Sequence, residues 1–226
     1  MKQLFYILSA LCIAALAACS DFNQDSEPQL EFRYDMVTYN GYSNGIAEFD
    51  NIYRNDSRTV TLRGQWAKKP DLESGARVLL SYLNQGQETT LECKALQNIS
   101  INSISKATTD TLRMANKARI DTLRKDDIRL LSLWRTGNYI NLQGEVEHTG
   151  KPRFFYLLMD KATADNDTVD CYLINDPLDN TIYYWRRFYA SFYVGAAFNK
   201  QSCKTLRIII NDAKSPNRHD FCFTKE

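Results

Sequence analysis

The sequence predicts an all-β protein: a small OB-like five-stranded barrel followed by a seven-stranded β-sandwich. Three observations predict it. Short alternating or apolar runs recur through most of the chain, separated by turn residues. Glycine (9) and proline (5) are scarce among 226 residues while tyrosine (13) and phenylalanine (11) are plentiful, which favours a folded β-rich body over disorder. One polar, glycine-free stretch parts two strand-rich halves. The formal net charge is +1. No basic face is implied, so nucleic acid is not an expected partner.

The chain opens "MKQLFYILSALCIAALAACS". Lys2 is a positive n-region, and Leu4 to Ala18 is apolar but too short to cross a core of ~30 Å as a helix, which reads as a secretory signal rather than a membrane span. Leu16-Ala17-Ala18-Cys19 matches a bacterial lipobox. Small residues suit the signal peptidase, and the Cys19 thiol is the group that receives lipid. The alternative is an ordinary signal with an incidental cysteine. Residues 1–18 are thus expected as signal peptide and 19–30 as a lipid-anchored flexible tether, polar and acidic up to Pro28. Several acyl chains at ~0.8 kcal/mol per methylene would hold the protein on a membrane without a span. Ser20 rather than aspartate follows Cys19, so the enterobacterial inner-membrane retention signal is absent.

Residues 31–104 read as the barrel. "FRYDMVTY", "IAEFDNIY", "RTVTLRGQW" and "ARVLLSYL" are four strands. Asn40-Gly41 and Asn44-Gly45 favour tight turns, and "KKPDLESG" is a polar loop or a single helical turn. "ETTLECKALQNISINSI" alternates long enough to be one bent strand serving two sides of a barrel. Residues 105–119 read as a polar connector with one or two helical turns. The two halves are expected to fold separately across it.

Residues 120–226 hold seven strands at sandwich spacing: "IRLLSLW", "NYINLQGEVE", "RFFYLLMDK", "TVDCYLIND", "RFYASFYVGAAF", "TLRIIIND" and "DFCFTK". Thr136-Gly137-Asn138 should reverse a hairpin, with Trp134 near Tyr139 across it. Ile140 and Leu142 should enter the core, and Trp134 is expected to be buried and structural. Turns are expected at His148–Pro152, at Asn175-Asp176-Pro177 and at Ser215-Pro216-Asn217.

The pattern Asp127-Ile128…Leu133-Trp134 followed by Gly137-Asn138-Tyr139-Ile140-Asn141-Leu142, then "FFYLLMD", "TVDCYLIND", "YASFYV" and "TLRIIIND" in that order, resembles the C-terminal domain of NigD-like lipoproteins. It covers roughly Ile120 to the end. The resemblance implies an N-terminal OB-like barrel, a C-terminal sandwich and a home in Bacteroidetes envelopes, with no established activity. The acidic cluster after Cys19 is similar to the surface-export signals of such lipoproteins.

The residues nominate no catalytic machinery. Neither GxSxG nor a phosphate-binding GxxxxGK[ST] occurs. His148 and His219 sit beside turn residues. Asp126-Asp127 and Asp165-x-Asp167 are paired carboxylates that could serve a hydrolase or, for the second pair, calcium; solvated acids explain both. Cys93, Cys171, Cys203 and Cys222 could pair in three ways outside the cytoplasm or stay as half-buried strand residues. They lack zinc-ligand spacing. No metal or cofactor is expected. The candidate contact residues are Tyr183, Tyr184, Trp185, Tyr189 and Tyr193, rings able to stack on a sugar or cradle a peptide; covering the end of the sandwich is their competing role. The expected protein is a lipid-anchored, non-enzymatic envelope protein of the outer membrane, periplasmic or surface-facing. Its expected partners are the membrane, through its lipid, and an envelope protein or glycan.

Overall fold

The computed structural model describes residues 32–53, 58–91, 94–148, 153–177, 184–214 and 220–225. Its first sheet is a barrel. β1 (Arg33–Ser43), β2 (Ile46–Ile52), β3 (Thr59–Gln65), β4 (Arg77–Asn84) and β6 (Lys94–Lys106) close in the order β3-β2-β1-β4-β6, with β6 returning to β3 in parallel. That is the five-stranded Greek-key closure of an OB-like barrel. The short β5 (Thr89–Leu91) forms a hairpin with β6. Alternation points Val37, Tyr39, Phe49, Val60, Leu62, Val78, Leu80, Tyr82 and Ile99 into one core.

The run expected as one bent strand is two: Thr89–Leu91 is the separate β5, and β6 alone serves two sides of the barrel. Residues 95–98 of β6 pair with β3, and residues 99–106 pair with β4. A bulge at Asn102 opposite the Ser81–Tyr82 step changes the inward parity, so Ile99 and Ile101 face in before it and Ile104 after it. The β1–β2 turn is Asn44-Gly45, with φ of 51° and 80°. Asn40-Gly41, expected as a second turn, lies inside β1 at a register shift instead. One extra residue there bends the strand without reversing it.

Two sheets face each other in the second half. The front sheet has the order β7-β13-β10-β9, from β7 (Thr108–Thr111), β13 (Tyr184–Tyr193), β10 (Tyr139–His148) and β9 (Arg129–Thr136). The back sheet runs β15-β14-β12-β11-β8, from β15 (Asp220–Thr224), β14 (Thr205–Ile209), β12 (Thr168–Pro177), β11 (Arg153–Asp160) and β8 (Arg113–Ala115). Their inner faces share a core that includes Ile140, Leu142, Ala190 and Phe192 from the front and Leu157, Val169, Leu173 and Ile208 from the back. Phe155 and Phe188 stack across it at 4.4 Å.

All seven expected sandwich strands are present, with two differences of extent. Gly195–Phe198 at the end of "RFYASFYVGAAF" is a helical turn, and Asn175-Asp176-Pro177 continues β12 rather than turning. The Ser215–Asn217 turn lies outside the described residues.

Of the stretch 105–119, expected as a connector, Ser105 and Lys106 end β6 of the barrel and residues 108–115 hold strands of the sandwich. β7 adds to β13 and β8 adds to β11, both in parallel, and Leu112 between them is buried. These strands of four and three residues sit at sheet edges, which is why their sequence is polar. The helix α1 (Lys117–Thr122) follows, with Ile120 buried against Leu158 and Ile174 on the outside of the back sheet. Contacts group Phe32–Glu226 into one compact unit.

Candidate functional site

The outer face of the front sheet is set by alternation. In β10, Ile140, Leu142, Gly144 and Val146 face the core, so Tyr139, Asn141, Gln143, Glu145 and Glu147 face out. Register places Tyr193, Ser191, Tyr189, Arg187 and Trp185 beside them on β13, and Thr136, Trp134, Ser132 and Arg129 on β9.

One end of this face is covered by the barrel, and Arg77 makes the joint. Its side chain is buried at the start of β4. Nε donates to Ser191 Oγ (3.2 Å), Nη1 to Thr38 Oγ1 (3.0 Å), and Nη2 to the Met36 carbonyl (2.9 Å) and Asn141 Oδ1 (3.0 Å). The guanidinium also lies 4.4 Å over the Tyr139 ring. Asn141, fully buried, donates to Thr136 Oγ1 and accepts from Ser191 Oγ. The acceptors around Arg77 are hydroxyl, amide and carbonyl oxygens. Burial pushes the guanidinium down to about 10, partly opposed by Tyr139. It therefore stays charged at neutral pH.

The other end of the face is open. Trp185 is half-buried, with the Arg129 guanidinium 3.6 Å over its ring. Arg187 pairs with Glu145 at 3.5 Å. Gln143 Nε2 donates to Tyr189 Oη at 3.1 Å. The result is a stripe of aromatic, amide and matched charged groups running out from the barrel. It can offer ring contacts and directional hydrogen bonds to a ligand of low net charge.

The structure divides the candidate aromatics. Trp185, Tyr189 and Tyr193 share the outer face, but Tyr193 stands in the covered part, edge-on to Tyr139 at 5.4 Å. Tyr184 is exposed and projects to the opposite side of the strand. Tyr183 lies outside the described residues. Arg129, Gln143 and Arg77 were not nominated from sequence. A charged residue heading the apolar run "ARVLLSYL" was the one available signal for Arg77. The β9–β10 hairpin turns at Gly137-Asn138 as expected, but Trp134 sits opposite Asn141 rather than near Tyr139 and is half-buried, not core.

The nominated acids are engaged singly. Asp126 pairs with Arg124 at 2.6 Å, and Asp127 accepts from Asn211 Nδ2 at 2.5 Å. Asp165 pairs with Lys200 at 2.9 Å and Asp167 with Lys204 at 2.6 Å. Among the described residues, no cluster of three or more histidine, cysteine or acidic side chains could hold a metal. Cys171 and Cys203 are buried free thiols, both held up by burial, and Cys222 is free and exposed. Cys93 and His219 lie outside the described residues, as does the His148 side chain.

No family model and no curated protein matches the chain. Solved structures do match in fold. A DUF1344 protein of unknown function from Bacteroides vulgatus aligns over 87% of this chain and 90% of its own at 12% identity, with a TM-score of 0.66. A NigD-like immunity protein from Bacteroides caccae aligns over 86% and 97% at 19% identity, with a TM-score of 0.55. A candidate lipoprotein from Bacteroides fragilis aligns over 85% and 96% at 10% identity, with a TM-score of 0.56. The fold implied by the NigD-like resemblance is therefore the fold found.

Proposed function

We propose that this chain is a lipid-anchored cell-envelope protein of the NigD-like type that works by binding or as a structural accessory rather than by catalysis. Lipid at Cys19 would place it on the outer membrane, facing the periplasm or the cell surface. The observation that carries the binding role is the half-covered front sheet. The barrel fixes one end through Arg77 and leaves an ordered open stripe beside it. A preorganised face of this kind costs little further ordering on association.

A more specific second reading is favoured by Trp185, Tyr189 and Gln143: a neutral envelope glycan or a peptide laid along the stripe. Ring faces and an amide suit sugar hydroxyls and C–H groups, and the matched Arg187–Glu145 pair leaves little net charge to recruit an ion. The test is retention of envelope glycans and cross-linked envelope proteins by the purified chain, compared with Trp185→Ala and Gln143→Ala. Loss of a retained species in both variants, at unchanged melting temperature, supports the stripe. Equal retention by all three proteins removes it as the contact surface.

A further inference from the structure

β1 and β4 pair with Thr38 opposite Arg77, Met36 opposite Leu79 and Tyr34 opposite Ser81. The intervening Val37, Val78, Leu80 and Tyr82 fill the barrel core, so this ladder is on the barrel's outside. At the Thr38 end the ladder is closed: Met36 and Arg77 are buried, and Arg77 reaches the sandwich. At the other end it is open. Tyr34 is 57% exposed and Phe32, two residues earlier on the same side, is 40% exposed, while Arg33, between them in sequence, is exposed on the other side of the strand. Single exposed apolar residues are ordinary. Here two aromatic rings follow each other where the chain enters the body.

We infer that the Phe32–Tyr34 end of the barrel docks on the headgroup layer of the membrane that holds the Cys19 lipid. This rests on the lipid-anchor reading above. Twelve residues, 20–31, separate Cys19 from Phe32. Fully extended they reach about 40 Å, so this end is the described part of the body tied closest to the acyl group by the chain. Its chemistry suits that layer. Tyrosine presents an apolar ring with a polar tip, and phenylalanine adds apolar area. The loop before β4 meets β1 elsewhere, with Gly75 N–H donating to the Tyr39 carbonyl and Ser74 Oγ to the Asn40 carbonyl. Glu73 on that loop is exposed and supplies a control position.

The experiment places a photoreactive benzophenone side chain at position 34, or at position 73, of the full acylated chain in phosphatidylethanolamine–phosphatidylglycerol vesicles. Mass spectrometry identifies what each position captures. Phospholipid adducts from position 34 at several-fold the yield from position 73 are expected, reduced by Phe32→Ser. Equal yields, or capture of protein alone at position 34, would overturn the docking. The acyl mass at Cys19 is measured on the same samples. An acylated, vesicle-bound chain without lipid adducts at position 34 refutes the docking alone; a chain without the acyl group refutes the anchor and the docking together.

Discussion

Arg77→Ala should unlock the barrel from the sandwich. The guanidinium makes four hydrogen bonds and is 4% exposed. Hydrogen bonds to a charged group contribute about 1.5 kcal/mol each at the low end, or about 6 kcal/mol together. Burying the cation opposes this: displacement of its pKa to about 10 corresponds to about 3 kcal/mol against the charged form. The net loss is about 3 kcal/mol. For a body of this size it should lower Tm by about 6–12 °C. Arg77→Met should lose less, because it removes the same bonds and desolvation cost but fills part of the space that alanine leaves empty. Tryptophan fluorescence and far-UV circular dichroism during denaturation provide the assay, since Trp66 reports on the barrel and Trp134 and Trp185 on the sandwich. The parent should unfold in one coincident transition, and Arg77→Ala should separate the probes. An Arg77→Ala protein with one transition and a Tm within a degree of the parent would refute the role given to this residue.

Three further outcomes follow from the packing. Gly137→Ala should cost about 1–2 kcal/mol in denaturant melts, because φ there is 54° and a Cβ would stand 2.9 Å from Ile52 Cδ1. Trp134→Ala should cost about 1–2 kcal/mol rather than the 3–5 kcal/mol of a buried tryptophan, since the ring is half-buried on an edge strand; a larger loss would place it in the core. Limited proteolysis should spare residues 108–115, whose backbone pairs in both sandwich sheets, and early cleavage there would contradict the parallel pairings of β7 and β8.

Much of the fold was legible because it is local. Alternation in "NYINL" sent Ile140 and Leu142 inward, and the run from Lys94 to Lys106 was long enough to bend around two sides of a barrel. What period and turn chemistry could not carry was partnership between distant segments. Thr108–Thr111 reads as a polar link until β13 lies beside it. Arg77 reads as a strand-initiating charge until Asn141 and Ser191 arrive from more than sixty residues away. Trp134 reads as core until β9 is known to be an edge strand. The aromatic cluster was partly correctable from sequence alone. Consecutive residues of a strand face opposite sides, so Tyr184 and Trp185 could not share one surface. Nothing in the sequence indicated that Arg129 would cover the indole or that Tyr193 would stand beneath the barrel.

The envelope role depends first on Cys19. The most direct measurement is the intact mass and N-terminal peptide of the protein isolated from its native membrane fraction. A mature chain beginning at Cys19 and carrying diacylglyceryl or a further amide-linked acyl chain is the predicted result, with Cys19→Ala remaining as unprocessed precursor or leaving the membrane pellet. A native N-terminus elsewhere, without acyl mass and with the protein in the soluble fraction, would contradict it.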